Sequence, residues 1–89
     1  MGKIEKKVKI TVVSSECDKY KPGDVICTEG AFVDKEKSDA VCLTALNALY
    51  PFIYGTRKGL TGEEMGFPDM VFQCPDGAAK VEFKIERNE

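Results

Sequence analysis

An α+β fold, a small antiparallel sheet of four to five strands packed on one main helix, is what this sequence predicts. Three observations carry it. Residues 7–13 and 78–87 alternate apolar and charged side chains with period two, as strands with one buried face do. Residues 40–50 instead repeat apolar side chains at helical spacing. The order β, β, (β), α, β, β keeps the strands in two groups around one helix, which favours an antiparallel sheet over a βαβ arrangement.

The first strand, Lys7 to Val13, turns Val8, Ile10 and Val12 to one side. A polar loop of residues 14–20 follows, holding Cys17 and Tyr20. Lys21-Pro22-Gly23-Asp24 is a type II turn in sequence, because Pro22 pre-sets φ and Gly23 accepts a positive one. Val25 to Thr28 is a short strand, which Gly30 breaks or bulges before Ala31-Phe32-Val33. Asp34-Lys35-Glu36-Lys37 reads as a solvated charge run. Ser38 is offered as N-cap and Asp39 as the carboxylate at the positive end of a helix from Ala40 to Tyr50. On that helix Cys42, Ala45, Leu46, Leu49 and Ile53 form one stripe, and Val41, Leu43 and Tyr50 widen it past half the circumference. Such a helix is expected to be covered on two sides, the second cover being another subunit. Pro51 ends the helix or restarts it, and Gly55 is its terminator. Thr61-Gly62-Glu63-Glu64 is a capping-box pattern for a short helical turn. Met70 to Cys74, a turn at Pro75, Asp76 and Gly77, and the final alternating run then make a terminal hairpin. Lys7 and Lys9 on the first strand complement Glu82 and Glu86 on the last, so those strands are expected to be neighbours.

Size and composition narrow the function. The 89 residues suit a single domain, 1–89, with 43% hydrophobic and 31% charged residues, a globular mixture. A net charge of −2 argues against a general affinity for nucleic acid. No apolar run approaches the ~18 residues of a membrane span. Met1 to Lys7 lacks the continuous apolar core of a secretory signal, and Lys6 stands where a myristoylation signal wants Ser or Thr. A cytoplasmic protein with reduced thiols is the expectation. Histidine is absent, which removes the commonest general base and metal ligand.

The four cysteines are spaced without any C-x-x-C pair, so the usual zinc-ribbon, thioredoxin and ferredoxin signatures are missing. One reading makes them small buried hydrophobes. The other gathers Cys17, Cys42 and Cys74, from a loop, a helix and a strand end, into a ligand set for zinc or an iron–sulfur cluster. A catalytic thiol at Cys42 would have no imidazole as its base. Arg57 and Lys58 with Arg87 are a candidate anion site against the plainer reading of solvated charges. Tyr20, Tyr50, Tyr54 and Phe52 either line a ligand groove or belong to the core.

Over most of its length the chain resembles a small bacterial and archaeal protein family with no settled activity. The likeness falls on Cys17 and Gly23, on Cys42, Ala45, Tyr50 and Pro51, and most specifically on Cys74-Pro75-Asp76-Gly77 with Phe83-Lys84-Ile85-Glu86-Arg87. Leu43 and Leu46 stand where that family has Trp, and Ala78-Ala79-Lys80 where it has Leu-Arg-Pro. The resemblance implies a fold and a shared trio of cysteines, and it implies no reaction. The functional expectation is a non-catalytic homo-oligomer that binds a small ligand or partner protein, the alternative a cysteine-ligated metal or redox protein.

Overall fold

The computed structural model describes residues 7–75 and 77–88. Five antiparallel strands lie in the order β3-β2-β1-β5-β4: β1 (Lys7–Ser15), β2 (Val25–Glu29), β3 (Phe32–Val33), β4 (Val71–Gln73) and β5 (Val81–Arg87). The main helix α1 (Leu43–Arg57) and the short α2 (Gly62–Met65) separate β3 from β4. The expected α+β architecture is therefore present, with five strands.

The pleat does what the alternation requires. Ile10 pairs with Ile26 on one side and Ile85 on the other, and Val12 pairs with Phe83. All five are buried, as are Val8 and Val81 on the same face. Ala45, Leu49 and Ile53 of α1 close this core from above. β1 and β5 are neighbours, as the charge pattern indicates, and Lys9 faces Glu86 with Nζ 3.9 Å from the carboxylate. Gly30, with φ at 59°, takes the first position of the two-residue turn between β2 and β3, where a positive angle is required.

Helix α1 departs from its expected limits at both ends. Ser38 and Asp39 do not cap it. The Ser38 hydroxyl accepts from the Cys27 N–H and donates to the Cys27 carbonyl, and the Asp39 carboxylate accepts from the Val25 N–H. These side chains satisfy the edge of β2 beyond the two-residue β3, so the helix begins five residues after Ser38, at Leu43, with Cys42 as N-cap. At the other end the helix passes through Pro51 and Gly55 to Arg57. Gly59, at φ 99°, stops it: its N–H bonds the Thr56 carbonyl while the Leu60 N–H bonds that of Gly55, the paired bonds of a Schellman motif. Pro51 sits on an exposed turn, where the missing N–H leaves no buried carbonyl bare.

The capping box of α2 forms as the sequence indicates: Thr61 Oγ1 accepts from the Glu64 N–H, and the Glu64 carboxylate accepts from the Thr61 N–H. The terminal hairpin forms, with its last bond running from the Cys74 N–H to the Val81 carbonyl. Of the expected turn, Asp76 lies outside the described residues, and Pro75 and Gly77 are exposed.

Candidate functional site

Three places on the fold bring chemistry-bearing side chains together. The first is around Tyr20. The turn after β1 is tied by Ser15, whose hydroxyl donates to the Cys17 carbonyl and accepts from the Cys17 N–H, and the Tyr20 N–H then bonds that same carbonyl. This presents the Tyr20 ring to the core, edge-on to Phe83 at 5.4 Å between centroids. Its hydroxyl accepts from the Cys42 N–H at 3.0 Å, the donor at the start of α1 that no side chain of the helix itself caps. Cys74 shares the buried core with Tyr20, while Cys17 and Cys42 pack against it half-buried. Burial pushes the Tyr20 phenol above its ordinary pKa of 10.0; the bond from Cys42 opposes that rise, and the thiols of Cys42, Cys17 and Cys74 add to it.

So the trio singled out in the sequence meets around one phenol. Among the described residues, however, no three Cys, Asp or Glu side chains are close enough together to hold a metal ion. Cys27 is elsewhere: it pairs with Lys9, on the sheet face away from Ile26, and is buried beneath the segment carrying Ser38. All four thiols are free. Tyr20 as the centre of the group has no signature in sequence, since a lone loop tyrosine looks the same whether buried or exposed.

The second place is the outward side of α1. Leu43 is 81% exposed and Tyr50 47%, and with Leu46, Asn47 and Pro51 they border a shallow groove of about 490 Å³. The widened stripe of the sequence is thus real, but its outer part faces away from the core. The aromatic residues divide. Phe52 stacks on Phe72 at 4.1 Å and both contact Phe67, joining α1 to β4. Tyr54 is exposed and takes Arg57 and Lys58 against its ring at 5.0 and 5.5 Å. Arg87 lines a cleft whose lining includes neither Arg57 nor Lys58.

That cleft is the third place. It holds about 540 Å³ beside the end of β5 that β4 leaves unpaired, and is walled by the segments 60–62 and 68–71. Its wall is closely packed, since a Cβ on Gly62 would stand 2.6 Å from the Phe67 carbonyl oxygen and 2.7 Å from Met70 Cγ. No helix of the described residues is long and apolar enough to cross a membrane. Comparison with protein-family models, with curated proteins and with solved structures gives no match. The likeness of the terminal segments therefore stands on the quoted motifs alone, and functional argument rests on these three places.

Proposed function

We propose that this chain is a non-catalytic cytoplasmic module that self-associates through the outward face of α1 and binds a small ligand or partner protein. The observation that carries the reading is an exposed helical face without charge. Residues 40–56 contain no Asp, Glu, Lys or Arg, yet Leu43 and Tyr50 lie open. A two-fold interface sets a patch against itself, so a charge near the axis would meet its own copy. A neutral apolar face avoids that repulsion, and a second copy of the chain is the partner it fits. Five residues border the groove, well short of the roughly 20–30 a side of a standard stable interface, so the association is weak. Four free thiols support a reducing compartment.

Sedimentation equilibrium over a wide concentration range tests this. The mass should climb above the 9.8 kDa monomer with concentration, and the Leu43→Glu/Tyr50→Glu variant should stay monomeric with an unchanged circular dichroism spectrum. A wild-type chain that remains monomeric into the millimolar range, or a variant that associates equally well, overturns the reading.

The convergence of Cys17, Cys42 and Cys74 on Tyr20 supports a second reading, in which the thiolates ligate zinc or an iron–sulfur cluster. Near-stoichiometric metal in freshly purified, untagged protein, lost on Cys74→Ser, would establish it. Metal-free protein of undiminished stability would dismiss it.

A further inference from the structure

The cleft beside β5 differs from the α1 face in carrying charge, open backbone and strain together. β4 and β5 pair from Gln73↔Glu82 to Val71↔Lys84, and the Ile85 N–H still bonds the Met70 carbonyl at 3.0 Å. There the ladder stops. The Met70 N–H, which an antiparallel exchange would hand to the Ile85 carbonyl, bonds Phe67 instead. Met70 makes this departure with φ at 54°, the only non-glycine residue among those described with a positive φ. A buried methionine in the left-handed region is held there by its surroundings, and such strain clusters where a chain is shaped to meet a ligand. As a result the Ile85 carbonyl faces the cleft.

Three charged side chains line the same cleft without a partner. Among the described residues no hydrogen bond or ion pair engages the side chains of Asp69, Lys84 or Arg87, and all three are exposed. Glu86, which also lines it, has Lys9 3.9 Å away. Apolar surface from Leu60 and Met70 completes the wall. Lys84 and Arg87 leave β5 on opposite faces, so the set comprises one cation, Arg87, for a carboxylate, a carboxylate and a carbonyl for an ammonium or amide N–H, and apolar wall between.

We propose that this cleft binds the free-ended short peptide or amino acid class of ligand: carboxylate to Arg87, amino end to Asp69 and the Ile85 carbonyl, an apolar side chain against Leu60 and Met70. A volume of about 540 Å³ falls within the usual range of small-molecule sites and exceeds what a single amino acid fills, which favours a dipeptide. A chain that ends in a carboxylate engages a guanidinium with paired, charge-assisted hydrogen bonds, and the exposed ladder carbonyl takes a peptide N–H as a strand would. The assignment gives the ligand class for the binding role proposed above but uses a different surface, so the two can fail separately.

The test is an amide NMR titration of the 15N-labelled chain with alanyl-leucine, its C-terminal amide and its N-acetyl derivative. The titrations are run on wild type and on the Leu43→Glu/Tyr50→Glu variant. Shifts should be confined to residues 60–62, 68–71 and 84–87 and should appear in both proteins. Amidation or acetylation of the peptide should weaken binding about tenfold, and Arg87→Gln should weaken the free-acid peptide while leaving the amide unaffected. Asp69→Asn should do the converse, discriminating against the free amine only. These residues are exposed, so the variants keep the fold, which the unchanged spectrum elsewhere verifies. Absence of shifts in the millimolar range, shifts on α1 instead of the cleft, or equal affinity for all three peptides overturns the assignment. Shifts seen in wild type and abolished in the α1 variant would tie binding to assembly and overturn it as a site of the single chain.

Discussion

Replacing Tyr20 by Phe should cost this small fold about 1–2 kcal/mol through the loss of a single hydrogen bond. The hydroxyl oxygen accepts from the Cys42 N–H at 3.0 Å, at the head of a helix whose N-cap residue supplies no side-chain cap. Removing it leaves a half-buried amide without an acceptor, which costs about 1–3 kcal/mol, and the better burial of a phenyl ring offsets a part. The ring stays, so the edge-to-face contact with Phe83 at 5.4 Å is retained and the difference reports the hydroxyl. In a domain of this size about 1 kcal/mol moves Tm by roughly 4–8 °C. Urea unfolding followed by far-ultraviolet circular dichroism measures it, since the chain has no tryptophan.

The same substitution has a pH signature. Burial raises the Tyr20 pKa above 10.0 in the folded chain. The native state therefore holds the phenolic proton more tightly than the unfolded state. Stability from this group is complete below pH ~10, the unfolded value, and is lost as pH rises from there through the folded pKa. The informative curve is the difference between wild type and Tyr20→Phe, which isolates the phenol at position 20. That difference should be constant to about pH 9 and shrink above pH 10. A substitution cost under about 0.3 kcal/mol, or a difference that stays flat to pH 11, would refute the claim that Tyr20 is the helix's cap.

Thr28→Val should stabilise by about 1 kcal/mol in the same unfolding assay, because Thr28 Oγ1 is buried without a hydrogen-bond partner among the described residues and valine has nearly its shape. Gly62→Ala should destabilise more than Gly55→Ala. The new methyl meets the Phe67 carbonyl oxygen at 2.6 Å in the first and the flexible Met65 thioether at 2.5 Å in the second, where a gain of about 1 kcal/mol in helix propensity also compensates. Glu86→Gln should change stability by less than about 0.5 kcal/mol at physiological salt, since its ion pair with Lys9 is 3.9 Å long and both side chains are well exposed.

What was legible in the sequence is what short-range pattern controls. The alternation Val8, Ile10, Val12 and Val81, Phe83, Ile85 determines which face of each strand is buried, and the opposed charges on β1 and β5 point to their adjacency. The Thr61–Glu64 capping box is likewise local and forms as read. The α1 outer face was half legible: the excess of apolar positions was plain, but exposure decides which of them serve the core, and Leu43 and Tyr50 do not. The cleft was not legible. It depends on a left-handed Met70 and on the Gly62–Phe67 approach, which arise from tertiary packing and leave no periodicity behind.

The misplaced helix start and the cysteine cluster have one cause. Ser38 and Asp39 are good caps in isolation, but β3 is only two residues long and leaves the β2 edge bare at Cys27 and Val25. An unpaired strand edge carries several backbone groups, so occupying both side chains there satisfies more of the chain than capping would. The helix then has to begin later, at a cysteine that supplies no cap bond. Its leading N–H turns to the nearest available oxygen, the Tyr20 hydroxyl. Drawing that hydroxyl inward pulls the β1–β2 loop, and Cys17 with it, onto the head of α1 beside Cys74. The gathering of three thiols around a phenol follows from where the helix is forced to start. A serine at position 42 would cap the N–H groups two or three residues on and not its own, so Cys42→Ser should stabilise by about 1 kcal/mol and leave the cost of Tyr20→Phe unchanged. A Tyr20→Phe cost that vanishes in the Cys42→Ser background would show that the hydroxyl serves the helix in some way other than by accepting the residue 42 N–H.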